Sequence, residues 1–299
     1  MLHVRTAGCL SVDERQEVLD FLSEAHAMDD TRLSDHLLLD LTQGPRPGFI
    51  GALAYEDDAL VGYAQASTGN DGYVIDGIAD TVHCADPAAT RSELLIALVE
   101  QLPADAALTW WAQPDAAAAS TAEHLRMRAD RQLLQMQRAL PIAEAAKVVL
   151  RAFEVGRDEQ AWLMVNNAAF AAHGEQGGWD IATLQQRIRE PWFDPEGFLL
   201  HERDGRLAAF CWTKMHPGAA HNSGLTGEIY VIAVHPDFHG LGLGKALTVA
   251  GLEHMQRNGA EMAMLYVDAT NTSAVRLYES LGFTVLRIEQ SYRRPGVPR

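Results

Sequence analysis

The stretch from Gly227 to Phe283 restricts the fold of this 299-residue chain more than any other. Glu228 to Val234 is a β-branched and aromatic run bounded by Gly227 and His235-Pro236; it is too short for a globular helix and predicts a buried strand. The glycine-rich loop from His239 to Lys245 follows and opens a helix in which Leu243, Leu247 and Ala250 share a face until Asn258-Gly259 stops it. The first N–H groups of a helix have no partner within it, and glycines let an anion approach them. Strand, glycine loop and helix start therefore predict a phosphate site. The dinucleotide fingerprint fails because Lys245 stands where its third glycine belongs, and a Walker A loop fails at His239 and Ala246.

A second apolar strand, Met262 to Val267, comes next, then a short helix with Asn271 as N-cap that stops at Leu281-Gly282-Phe283. Val234-x-Pro236 before Gly240-x-Gly242, followed by Asn271-x-x-Ala274-x-x-Leu277-Tyr278-Glu279-x-Leu281-Gly282-Phe283, resembles the acetyl-CoA signature of the GNAT N-acetyltransferase superfamily. The resemblance implies an α/β fold (α+β, around a mixed sheet) and acetyl-CoA as co-substrate. It also implies cofactor contacts from Ile232, Ala233 and Val234, from His239, Gly240, Leu241, Gly242, Leu243, Gly244 and Lys245, and from Asn271, Thr272, Ser273, Ala274, Val275 and Arg276.

Lys and Arg number 24 against 40 Asp and Glu, a net charge of −16, and no basic run exceeds Arg293-Arg294. Neither nucleic acid nor an anionic membrane is expected as a partner, because both are bound by neutralising phosphates. Cys9, Cys84 and Cys211 are odd in number and far apart, which points to small buried hydrophobes rather than disulfides or a zinc cage. His235 to His239 lacks H-E-x-x-H and overlaps the cofactor loop, so no metal is expected. With no long apolar run and no signal pattern, the chain is expected in the cytoplasm, as a monomer.

The two halves repeat. Gly48-Phe49-Ile50, Asp57 and Ala59 to Tyr63 echo Gly197-Phe198-Leu199, Asp204 and Arg206 to Phe210. The offset near ~147 residues is too long for a solenoid, so two tandem GNAT domains are expected, 1–140 and 147–299, joined through Pro141 to Ala146. Ser11-Val12-Asp13-Glu14 predicts a capping box, and Ala116 to about Ala129 an alanine-rich helix. The first half has Pro87 to Glu93 where the second has its glycine loop, and Arg126 where the second has Tyr278. Catalysis is therefore expected in the second domain.

Acetyl transfer to an amine requires a held thioester, a polarised carbonyl, a neutral amine and a proton for the leaving thiolate. The resemblance implies direct transfer without a covalent enzyme intermediate. Glu228, six residues before Val234 and on its face by period-two counting, is the candidate for taking the amine's proton; a solvated strand end is the alternative. Tyr278 is the candidate general acid, since a phenol and a thiol have similar pKa values; a packed helix tyrosine is the alternative.

Over the full length the chain resembles the mycothiol synthase family, a tandem branch of that superfamily. The match runs through Ala171 to Trp179, Trp212-Thr213-Lys214, Gly227 to Val231, Leu265 to Asp268, and Ser34-Asp35-His36 in the first half. It implies acetylation of the cysteine amine of a small molecule, cysteinyl-glucosaminyl-inositol. Asp35, Glu175, Lys214, Glu228 and Tyr266 would supply donors and acceptors for its ammonium and hydroxyls. Another cationic amine (an aminoglycoside, a polyamine or a protein N-terminus) and a non-catalytic acetyl-CoA sensor remain as alternatives.

Overall fold

The computed structural model describes residues 2–29, 33–69, 72–171, 176–216 and 224–296, without the side chains of 26–29 and 35. The chain forms two compact units, Met1–Leu133 with Ile288–Arg299, and Leu134–Gly218 with Asn222–Arg287. The first carries β1 (His3–Ala7), α1 (Val12–Asp29), α2 (Asp35–Thr42), β2 (Ile50–Glu56), β3 (Ala59–Gly69), β4 (Gly72–Ala79), α3 (Pro87–Val99), β5 (Leu108–Ala112) and α4 (Ala116–His124). Strand β6 (Arg128–Ala139) begins in the first unit and ends in the second. The second unit continues with β7 (Arg151–Ala152), α5 (Glu159–Ala169), α6 (Ile181–Ile188), β8 (Phe198–Arg203) and β9 (Arg206–His216). Then come β10 (Leu225–Val234), α7 (Leu243–Arg257), β11 (Ala260–Asp268), α8 (Thr272–Ser280) and the start of β12 (Thr284–Arg294).

Within each unit the strands form a mixed arrangement: β4 with β5 and β10 with β11 are parallel, while β1–β2–β3–β4 and β7–β8–β9–β10 are antiparallel. The far end of β12 returns to the first unit, where Gln290 to Arg294 pair antiparallel with Leu108 to Ala112 of β5. The predicted capping box forms: Ser11 N–H donates to Glu14 Oε2 at 2.7 Å, and Glu14 N–H to Ser11 Oγ at 3.2 Å.

The second unit has a core on each face of β8 to β11. On one face α7 covers Cys211, Ile229, Ala263, Leu265 and Val267. Helix α7 sits close to β9 because residue 251 is glycine; a Cβ there would lie 2.7 Å from Cys211 Sγ. On the other face Trp162, Phe198, Phe210 and Trp212 pack together, with Phe198 and Trp212 stacked at 4.3 Å. Each such aromatic pair adds about 0.5–1.5 kcal/mol beyond the area it buries.

The alanine-rich helix is shorter than its composition predicts. It stops at His124, followed by Leu125 as cap and Arg126 at φ 56°, and β6 already starts at Arg128. Of the three cysteines, Cys84 and Cys211 are buried as expected, but Cys9 is exposed.

Candidate active site

The parallel ladder between β10 and β11 runs from Leu225↔Ala260 to Ile229↔Leu265 and stops there, although β10 continues to Val234 and β11 to Asp268. On the other side β10 stays paired to β9 through Val234↔Ala209, with a bulge at Tyr230 between Ile229↔Thr213 and Val231↔Trp212. An extra residue bends a strand and raises its twist, so the bulge accounts for the parting of β10 from β11. Beyond Ile229 the register pairs no residue of β10 with β11.

The bulge also changes which residues share a face. Ile229, Ile232 and Val234 lie on the α7 side, whereas Tyr230, Val231 and Ala233 lie on the tryptophan side. Glu228, one residue before Ile229, is on the tryptophan side. Period-two counting had put Glu228 and Val234 on one face; the inserted residue at Tyr230 reverses that parity.

On this tryptophan-side face the register sets Glu228 beside Lys214 of β9 and Met264 of β11, with Tyr266 two residues further on. Three predicted substrate residues, Lys214, Glu228 and Tyr266, are thus brought together. Glu228 and Lys214 are each 7% exposed. Glu228 Oε2 lies 2.5 Å from His216 Nε2. Lys214 Nζ stands over the rings of Trp192 and Tyr230, 4.7 and 5.5 Å from their centroids, a placement that favours a cation. His216 was not singled out from the sequence; its signal was its position two residues past Lys214, diagonal to Glu228 across the pair. Glu175 lies outside the described residues, as does the side chain of Asp35.

Tyr278 occupies the opposite, α7 side. It is 7% exposed within the core that holds Cys211, Leu247 and Phe283, and its ring meets Phe283 at 5.9 Å. Burial, then the neighbouring Cys211, pushes its phenol above the ordinary range, so it keeps its proton at neutral pH. Burial also pushes the Cys211 thiol up to about 12, which leaves no thiolate for nucleophilic attack.

The glycine loop presents its backbone. Gly240 and Gly242 have φ of 77° and 73°, with no atom within 4 Å of where a Cβ would stand. Gly242 is the N-cap of α7 and offers no side-chain acceptor to the helix, so its first amides are left for a ligand. The residues present therefore fit a pyrophosphate at this helix start. His239 turns its Nε2 back to the Val234 carbonyl at 3.0 Å, and Lys245 Nζ is 3.0 Å from Glu144, so neither side chain is directed by the phosphate reading alone. Asn271 caps α8, accepting from Ala274 N–H at 3.2 Å and from Ser273 Oγ at 3.0 Å. Thr272, Ser273 and Arg276 are exposed, while Ala274 and Val275 pack on the core.

The first unit builds the same elements without the site. Asp86 caps α3, its carboxylate accepting from Ala89 N–H at 3.0 Å, so an internal anion already occupies that helix start. Helices α4 and α8 match turn for turn: Asp115 and Asn271 cap them, and Arg126 and Gly282 end them at positive φ. Met127 N–H donates to the Ala122 carbonyl just as Phe283 N–H donates to that of Tyr278. Ala122, not Arg126, therefore stands in the place of Tyr278; Arg126 stands in the place of Gly282. Among the described residues no group of His, Cys, Asp and Glu is placed to hold a metal, and no helix is long and apolar enough to cross a membrane.

Residues 162–283 match the Acetyltransferase (GNAT) family model. The chain also shares its fold with a tandem GNAT protein from the clavulanic acid biosynthesis pathway, at TM-score 0.67 and 14% identity over 100% of both chains. Fold and site together define a GNAT acyltransferase. Over 93% of its length the chain is 42% identical to the mycothiol acetyltransferase of Thermobispora bispora, covering 96% of that protein. It is 44% identical to that of Thermomonospora curvata, over 92% of each. The chain belongs to the mycothiol acetyltransferase family.

Proposed function

We propose that the second unit transfers the acetyl group of acetyl-CoA directly to the cysteine amine of cysteinyl-glucosaminyl-inositol, completing mycothiol, without a metal. The observation that carries this reading is the parting of β10 from β11, with Glu228 on one face and Tyr278 on the other. A thioester lying in that gap is open to an amine from the Glu228 side and to a proton donor from the Tyr278 side. The relatives named above support the choice of acceptor.

Bound acetyl-CoA supplies the acetyl group and a thiol leaving group. Glu228 attracts the acceptor ammonium and takes its proton, directly or through water, and His216 at 2.5 Å can receive that proton next. The neutral amine forms its bond to the carbonyl carbon while amides of β10 beyond the β11 ladder take up charge on the oxygen. The carbon–sulfur bond breaks and Tyr278 gives its proton to the sulfur. The nitrogen's second proton replaces the one Tyr278 gave up, so the amide and a free thiol leave and the proton taken by Glu228 goes to solvent. Lys214 and Tyr266 provide donors to the acceptor's hydroxyls. The first unit does not catalyse, and the chain works in the cytoplasm as a monomer.

The test is thiol release from acetyl-CoA by the purified protein with the cysteinyl pseudodisaccharide, spermidine, an aminoglycoside or a free-N-terminal peptide as acceptor. A strong preference for the pseudodisaccharide is expected. Preferred turnover of another amine would discard that acceptor, and acetyl-CoA binding without any turnover would make the chain a sensor.

A further inference from the structure

The first unit contains a cavity of about 800 Å³ at the C-terminal end of α3, the opposite end from the Asp86 cap. Its floor is apolar, with Ile96, Val99, Leu102 and Leu125. Its rim carries Arg126, Arg128, Arg293 and Arg294 together with Glu100, Asp105 and Asp130, a small positive excess in a chain whose net charge is −16.

These arginines are not explained by internal ion pairs. Arg293 has Asp130 at 4.0 Å. Arg126, Arg128 and Arg294 meet no carboxylate within ion-pair distance among the described residues, although Glu100 and Asp105 also line the cavity. Arg294 is held in place by neutral groups: its Nε donates to the Ala106 carbonyl at 3.4 Å and its Nη1 to the Leu125 carbonyl at 3.3 Å. Burial and the nearby Arg126 both disfavour its charge. Arg126, Arg128 and Arg294, with no carboxylate at ion-pair distance, repel one another beside an apolar floor, and an anion between them relieves that repulsion.

Arg126 supplies an independent observation. It ends α4 at φ 56°, a left-handed conformation that favours glycine and that its counterpart Gly282 adopts at φ 82°. A strained residue kept at a position where glycine would relax points to a task for its side chain.

We propose that this cavity binds an amphipathic organic anion, its phosphate or carboxylate head against Arg126, Arg128 and Arg294 and its apolar body on Ile96, Val99 and Leu102. A planar guanidinium can meet either head group with two parallel N–H bonds, and the volume suits a small molecule of drug size.

The experiment is calorimetric titration of the full chain at low salt with octyl phosphate, octanoate, inorganic phosphate and octyltrimethylammonium. Octyl phosphate or octanoate should bind at least tenfold more tightly than inorganic phosphate, with no binding of octyltrimethylammonium. The double variant Arg126→Gly, Arg128→Gln should lose tenfold or more in affinity for the better octyl anion while its Tm holds or rises, because glycine relaxes position 126. If that variant unfolds, Arg128→Gln alone, at an exposed position, carries the comparison with a smaller loss. Wild-type affinity in the variants would place the binding elsewhere, such as the α7 loop, and overturn the proposal. Equal binding of octyltrimethylammonium would overturn the anion, and equal binding of inorganic phosphate the apolar floor.

Discussion

Tyr278, the general acid of the proposed reaction, holds its proton firmly in its buried setting. Burial first and Cys211 second raise its pKa, so the phenol is intact across the neutral range. Tyr278→Phe is expected to lower kcat by roughly 100-fold at every pH from 6 to 9, with little change in acetyl-CoA affinity, since general acid catalysis contributes on this scale. Unchanged turnover would remove Tyr278 from the mechanism. Cys211 makes a separate prediction about stability. Its thiol titrates at about 12 in the folded chain against 9.0 for the free group, so folding is helped below pH 9 and that help fades as pH rises toward 12. Cys211→Ala should therefore lose less Tm than the wild type between pH 8 and 11; an identical alkaline loss would show that other groups set it. Both Glu228 and Tyr278 could be singled out from spacing and motif. Glu228's face could not, because a bulge is one inserted residue and leaves no mark on composition.

Among the elements, the α7 start and its counterpart at α3 differ in whether the helix cap is left open. Gly242 offers no side-chain acceptor, whereas Asp86 fills the cap with a carboxylate. Gly242→Val puts a β-branched residue at φ 73° and a side chain over the open amides. An increase of roughly tenfold or more in the apparent acetyl-CoA requirement is expected, corresponding to about 1.4 kcal/mol, with turnover at saturation less affected. An unchanged requirement would move the pyrophosphate away from this loop. The glycine loop and the Asn271 cap were legible because their chemistry is local. The end of α4 was not: arginine is a poor residue for a left-handed helix stop, so the alanine run read as continuing to Ala129, and Arg126 was aligned with Tyr278 four residues from its true counterpart, Ala122.

On the scale of the whole molecule, duplication was legible from repeated turns such as Asp57 and Asp204, both at positive φ. What could not be read is that β12 serves both units, since strand pairing over such a separation leaves no local pattern. Residues 290 to 294 complete β5, and Gln290 Nε2 also donates to the Arg131 carbonyl at 3.0 Å. A fragment ending at residue 140 lacks this strand and leaves the β5 edge and Trp110 without Tyr292, whose rings are 5.4 Å apart. Such a fragment should be aggregation-prone and show little near-ultraviolet circular dichroism, and fusing residues 284–299 to it through a flexible linker should restore a cooperative melt. A cooperative melt of the short fragment would show the strand to be dispensable.

The shared strand also has a consequence for how the chain is made. Residues 1–133 are made before the second unit but wait with one edge of β5 open, paired only to β4, while that unit is synthesised. The earlier unit is thus finished after the later one, and the second unit can be complete while its companion still depends on the part of β12 that begins at Ile288.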